Sequence, residues 1–204
     1  MKTLLKIQAS LAGSAAQSTQ LADRVIEQWL RTQPRGQVVT RDLALDAIPH
    51  LTGERFQSFL SAPHERTTAQ QQVVAFSDGL IQELQEADVI LLAVPMYNFG
   101  IPSTLRAYFD HIARAGVTFR YTDSGAEGLI KGKKTYVIVT RGGRYDAEAD
   151  TQTAYLRQFL GFIGLTDLEF VYAEGLSMGP EAREEGLASA RAAIDRLALF
   201  AQAA

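Results

Sequence analysis

The chain has 204 residues, 47% hydrophobic and 21% charged, the balance of a globular protein long enough to bury one core, so a single domain over residues 1–204 is expected. A formal net charge of -3 and the lack of any Lys or Arg run exclude a surface built for polyanions, and no nucleic acid partner is expected. With no cysteine, disulfides, thiolate nucleophiles and Cys-based metal or iron–sulfur sites are excluded too.

The opening apolar run is interrupted by Lys6 and Gln8 before it reaches the length of a secretory signal, so Thr3 to Ala9 reads as a strand and the cytoplasm is the expected location. Next comes Ser10-Leu11-Ala12-Gly13-Ser14-Ala15-Ala16-Gln17-Ser18, a hydroxyl-rich turn entering a helix whose Leu21, Val25, Ile26 and Trp29 recur at helical spacing. Val38 to Leu43 reads as the second strand, and Pro49 to Thr68 as a partly helical excursion at the rim. Val89 to Val94 is the third strand. The apolar stretch around it, ending at Met96, is far short of the roughly 20 residues a membrane helix needs, so no membrane partner is expected.

Pro95-Met96-Tyr97-Asn98-Phe99-Gly100-Ile101-Pro102 follows, then a helix with Leu105, Phe109 and Ile112 on one stripe, expected to stop near Gly116. Val117 to Thr122, followed by Gly125 and Gly128, forms a second insertion of the kind that meets substrates. Tyr136 to Thr140 is the fourth strand and Leu168 to Tyr172 the fifth. The last helix opens at Pro180 and runs through Leu187, Ile194, Leu197 and Ala201, carrying Gly186 at a propensity cost of about 1 kcal/mol. The third and fourth strands lack polar alternation, as strands covered on both faces do. Five β/α units with right-handed crossovers then give an α/β fold: a doubly wound, flavodoxin-like five-stranded parallel sheet in the order 2-1-3-4-5, with helices on both faces.

Ligands of such sheets bind at the carboxyl ends of the strands beside the switch in strand order, which singles out the loops after strands one, three and four. The Ser10–Ser18 turn offers free amides, a helix dipole and hydroxyls, enough to hold a phosphate without a basic side chain; the alternative is that its serines only cap the helix. Neither a Walker-type Gly-Lys-Ser/Thr nor a three-glycine dinucleotide fingerprint is present. The loop from Pro95 to Pro102 is apolar and aromatic, suited to a flat ring with Asn98 as one polar contact, or to filling a gap in the core. Thr140-Arg141-Gly142-Gly143 allows close backbone approach, or is a plain turn. Together the three loops meet at one sheet edge, with phosphate chemistry first and ring chemistry after it, the order that flavin mononucleotide (FMN) requires.

At these residues the sequence resembles the FMN-dependent NADH azoreductases, flavodoxin-like homodimers related to the NAD(P)H quinone reductases. The resemblance spans nearly the whole chain and is most specific at Pro95–Phe99, Arg114–Thr122, Thr140–Gly143 and Phe159–Gly164. It implies that Ser10, Ala16, Gln17 and Ser18 hold the FMN phosphate, that Met96, Tyr97, Asn98 and Phe99 line the ring, and that Thr140, Arg141, Gly142 and Gly143 border its far edge. Ala16 stands where the family often has Ser, which removes one hydroxyl. Tyr121 and Phe162 match aromatic residues that look toward the open flavin face, where nicotinamide and substrate take turns. Phe162 also has a packing role open to it, because Tyr155, Leu156, Phe159, Leu160, Phe162 and Ile163 cover more of a helix than one sheet-facing stripe needs, an excess that a second subunit would bury.

The implied activity is transfer of hydride from NADH through FMN to azo dyes, quinones or nitroaromatics in a ping-pong cycle, with the flavin carrying the chemistry and no catalytic side chain required. His50, His64 and His111 share no metal-ligand spacing, so no metal is expected, and His111 reads as a helix-surface or cap residue. Arg106, Arg120 and Arg141 read as solvated or as contacts for an anionic ligand. The rival from another class is a flavodoxin-type electron carrier for protein partners, which the mild charge and the aromatic insertion disfavour. A phosphorylatable receiver module is set aside because the strand ends read Ala9-Ser10 and Pro95-Met96 where it needs an acidic cluster.

Overall fold

The computed structural model describes residues 1–197. Its elements run β1 (Thr3–Gln8), α1 (Gln17–Thr32), β2 (Gln37–Asp42), α2 (Gly53–Leu60), α3 (Thr68–Glu86), β3 (Val89–Pro95), α4 (Ser103–Ile112), β4 (Phe119–Thr122), β5 (Gly125–Gly128), β6 (Lys134–Thr140), α5 (Thr151–Ile163), β7 (Asp167–Ala173) and α6 (Pro180–Arg196). The main sheet has the order β2-β1-β3-β6-β7 and is parallel throughout, which is the expected 2-1-3-4-5 order once the β4–β5 hairpin is set aside.

Two cores follow from the period of the strands, because successive side chains point to opposite faces. On one face Leu5, Ile7, Ile90, Leu92, Val137 and Val139 pack with Leu80 and Leu84 of α3, Leu105 and Phe109 of α4, and Leu156 and Leu160 of α5. On the other Leu4, Val89, Leu91, Tyr136 and Ile138 pack with Leu21, Val25 and Trp29 of α1 and Leu187, Ala190 and Ile194 of α6. Every residue of β3 is buried, as its unbroken apolar run requires. Each Leu or Val so buried contributes about 1.5–3 kcal/mol.

Local chemistry sets the helix ends. Thr67 and Gln70 form a reciprocal capping box at α3, and Thr52 and Asp150 accept backbone N–H bonds at α2 and α5. Gly186, a poor helix former, sits where α6 crosses the end of β7: a Cβ there would lie 2.0 Å from the Glu174 carbonyl oxygen. The excursion from Pro49 to Thr68 is partly helical, comprising α2 and a 3-10 turn at Pro63–Glu65.

Four features differ from the sequence-based expectations. Helix α4 stops at Ile112 rather than near Gly116, because the Thr118 hydroxyl donates to the Ile112 carbonyl (2.6 Å) and accepts from the Arg114 N–H (2.9 Å), turning the chain out of the helix. His111 is fully buried, with Nε2 at 2.9 Å from the Pro49 carbonyl, so it is neither a surface nor a cap residue. The second insertion is an antiparallel hairpin, β4–β5, whose Gly128 lies so close to Gly164 that a Cβ on it would come within 2.1 Å of the Gly164 nitrogen. The last helix holds Leu187 and Ile194 as expected but ends at Arg196, with Leu197 as a non-helical C-cap rather than a helical residue; Ala201 lies outside the described residues.

Candidate functional site

The chain leaves β1 at Gln8 and enters α1 through a short 3-10 turn at Gly13–Ala15, so the first amides of α1 face the carboxyl edge of the sheet. Ala16 occupies the N-cap position and no side chain caps the helix. The first-turn N–H groups therefore lack intrahelical acceptors and add to the positive end of the dipole. Ser18 and Thr19 are 1% and 2% exposed, yet neither hydroxyl has a hydrogen-bond partner among the described residues. A buried hydroxyl left unpaired costs about 1–3 kcal/mol. The serines of this turn thus do not cap α1; what the geometry offers is a nest of unused donors suited to an anion.

Ser10 ties this turn to the loop after β3. Its Oγ accepts the Ala12 N–H (3.3 Å) and lies 3.1 Å from the Tyr97 hydroxyl, which also accepts the Leu11 N–H at 3.1 Å. Beyond Tyr97 the chain makes a tight turn in which Tyr97 and Gly100 exchange two backbone hydrogen bonds of 3.0 Å. Asn98 and Phe99 at its centre have φ of 50° and 65°. Two positive φ angles in a two-residue turn are the type I′ pattern, which Asn tolerates and a bulky residue adopts at a cost of about 1–2 kcal/mol. The Met96 N–H donates to the Thr140 carbonyl (2.8 Å), joining the same loop to the end of β6.

A cavity of about 920 Å³ opens beside this turn, within the usual range for small-molecule sites. Its walls are Leu11, His50, Met96, Tyr97, Asn98, Gly100, Ile101, Ser103, Arg106, Thr151, Gln152 and Tyr155. Arg106 lies 5.1 Å from the centre of the Tyr155 ring and pairs with Asp110, so its charge is exposed but partly compensated. Burial raises the Tyr155 phenol above its ordinary range while Arg106 opposes the shift, and the group stays neutral at physiological pH.

Arg141 departs from expectation. Its side chain is buried rather than solvated, bonding Asp150 (2.6 Å), Thr153 (2.7 Å), Glu174 (3.1 Å) and Gln152 (3.3 Å). Its backbone is engaged as well: the Arg141 N–H donates to the Ala173 carbonyl (2.9 Å) and its carbonyl accepts the Leu176 N–H (3.1 Å). Burial pushes the Asp150 carboxyl up, but bonds from Thr153 and Arg141 outweigh it and hold the group below its ordinary value. Gly142 and Gly143 turn toward the β7–α6 connection: their carbonyls accept the Ser177 and Gly175 N–H groups, and a Cβ on Gly142 would meet the Ser177 hydroxyl at 2.9 Å.

The structure thus brings Ser10, Ser18 and Met96–Phe99 to one edge, with Thr140 beside them. Tyr121 and Phe162 stand apart. Tyr121 is 76% exposed on the hairpin, Phe162 packs on Phe119 with ring centres 4.2 Å apart, and neither borders the cavity. Arg120 pairs with Glu127 across the hairpin.

A family model described as flavodoxin-like fold matches residues 1–198. The chain belongs to that family. Among its flavodoxin-like relatives, the FMN-dependent NADH:quinone oxidoreductase 6 of Burkholderia lata is 52% identical over 195 residues, covering 95% of this chain and 98% of the relative. A solved azoreductase from Bacillus anthracis superposes with a TM-score of 0.87 at 30% identity, covering 96% of this chain and 98% of that one. An FMN-dependent NADH-azoreductase from the same organism, solved in complex with FMN, gives a TM-score of 0.84 at 25% identity over 97% of this chain and all of the other. Within this flavodoxin-like frame, sequence reasoning gave no site role to the wall residues His50, Ser103 and Tyr155, nor, despite a readable signal, to Thr151 and Gln152. The available signal was Asp150-Thr151-Gln152-Thr153, an N-terminal helix signature placed after the fourth strand of the main sheet, whose following helix must start at the ligand-binding edge.

Proposed function

We propose that the whole chain acts as one FMN-binding domain that oxidises NADH and reduces quinones and azo compounds. The observation that carries this is the juxtaposition, at one sheet edge, of an uncapped helix start holding an unpartnered buried Ser18 hydroxyl and an apolar, aromatic-walled cavity. Those residues fit FMN: a phosphate at α1 would take up the unused donors, and the cavity beside Met96–Phe99 suits a flat ring. The relatives named as FMN-dependent NADH:quinone oxidoreductases and azoreductases support the same choice. When bound, FMN supplies the hydride chemistry.

In this reading Ser10, Ala16, Gln17 and Ser18 hold the phosphate, Met96 to Phe99 line the ring, and Thr140 to Gly143 border its far edge, with the Arg141 side chain buried in bonds to Asp150, Thr153, Glu174 and Gln152. The protein orients the reactants and keeps water from the cavity, without an acid–base pair of its own. NADH and acceptor take turns in one cavity. The active unit is a cytoplasmic homodimer, supported by the exposed Leu11, Phe99 and Tyr121, and by Tyr121 and Phe162 not bordering their own chain's cavity. In the dimer these two serve the partner's site.

The test is an absorbance spectrum of purified protein with added FMN, followed by anaerobic NADH and then a quinone or azo dye. A bound flavin that bleaches with NADH and recovers with the acceptor supports the proposal, and initial rates against both substrates should give parallel reciprocal plots. Failure to bind flavin overturns it, and intersecting plots overturn the shared cavity.

A further inference from the structure

We infer that Thr151 and Gln152, at the first turn of α5, are positioning residues that hold the Tyr97–Gly100 turn in its left-handed form and thereby set how tightly FMN is held. The inference rests on the FMN reading above but concerns residues which that reading leaves without a role.

The turn is not self-sufficient. Phe99 at φ 65° has no glycine's freedom, and two backbone bonds between Tyr97 and Gly100 must offset the strain. Contacts from α5 add to them. The Thr151 hydroxyl donates to the carbonyl of Phe99 itself at 2.7 Å. The Gln152 amide donates to the Pro95 carbonyl at 3.1 Å, with a longer contact of 3.4 Å to the Gly100 carbonyl. Three carbonyls of one loop are thereby drawn toward α5, which fixes the direction of the peptide planes between Pro95 and Gly100.

Gln152 is in turn held from behind. Its carbonyl oxygen accepts from Arg141 Nε at 3.3 Å, and the same guanidinium bonds Asp150, Thr153 and Glu174. The end of β6, the start of α5 and the end of β7 therefore support the turn through one buried cation. This accounts for an arginine that is 2% exposed beside the site and bonded to four protein side chains.

Thr151 is exposed, so its variants should fold, and Thr151→Val keeps the shape while removing the hydroxyl. FMN affinity of the apoprotein, read by quenching of flavin fluorescence, is expected to fall about fivefold in Thr151→Val, the worth of one neutral hydrogen bond, with a changed visible circular dichroism of the bound flavin. Thr151→Ser, which keeps the donor, should restore both signals, and Gln152→Met should weaken binding further. If the native protein binds FMN and Thr151→Val matches it in affinity and spectrum, the inference is overturned. If Thr151→Ser is as weak as Thr151→Val, the hydroxyl is not the cause and the inference is equally overturned. If the native protein itself binds no FMN, it is the functional reading that fails.

Discussion

In the proposed FMN site, Ser18 separates what folding needs from what binding would need. Its hydroxyl is buried at the start of α1 with no hydrogen-bond partner among the described residues, so removing it takes nothing from the folded chain and relieves an unpaired polar group. Ser18→Ala should leave the thermal midpoint of the apoprotein unchanged or slightly raised, while FMN affinity falls about tenfold, the worth of a hydrogen bond to a charged phosphate. Calorimetry and flavin titration on the same sample check both halves, and a lowered midpoint would show that the hydroxyl has a structural role. That this turn is rich in hydroxyls was legible in the sequence; that its serines leave α1 uncapped was not, since a capping serine and a phosphate-binding serine look alike without coordinates. Arg141 was opaque for a similar reason. An arginine beside two glycines reads as a surface cation, and its burial depends on Asp150 and Glu174, which are 9 and 33 residues away along the chain.

Between elements, close approach and burial override local propensity. Gly186 looks like a liability in α6, yet a Cβ there would collide with the Glu174 carbonyl, whereas Gly79 in α3 has open space around it. Gly79→Ala should therefore stabilise by about 1 kcal/mol, and Gly186→Ala should destabilise by about 2 kcal/mol despite the same gain in helix propensity. Urea unfolding of the pair checks the contrast. The strands and the stripes of α1 and α4 were readable because burial on a sheet imposes a period, but the hairpin β4–β5 was not, since its Gly125 and Gly128 mimic a loop. His111 belongs to this scale as well. It sits between the rings of Phe59 and Phe76, with Arg55, Arg114 and Asp110 nearby. Burial lowers its pKa, Arg55 and Arg114 lower it further, and the Pro49 bond and Asp110 only partly oppose them. A group whose folded pKa lies below its unfolded value of about 6.5 folds best when neutral, so stability is full above that pH and is lost as pH falls below it. Denaturant midpoints should drop between about pH 7 and pH 5, and His111→Gln, which keeps an N–H for Pro49, should flatten that slope.

At the scale of the whole molecule, the order of the main sheet was the most legible feature, because five β/α units with right-handed crossovers leave few topologies and the carboxyl edge then names the loops. Which chain completes each site is not written in periodicity, because an aromatic residue facing solvent and one facing a partner are the same residue in a sequence. Tyr121 is the case in point: it is exposed and lies away from the cavity of its own chain. If the homodimer places it over the partner's flavin, sites can be assembled from two differently damaged chains. Ser18→Asp puts a carboxylate where the phosphate should lie and disables the flavin site of its own chain, and Tyr121→Ala removes the aromatic residue offered to the partner. Each variant alone should reduce quinones slowly with NADH. Dissociated and reassembled in equal amounts, half the dimers are mixed, and each mixed dimer carries one intact and one doubly damaged site, so about a quarter of the native activity should return. If Tyr121 served its own chain, no mixture would contain an intact site, and the activity would stay at the level of the single variants.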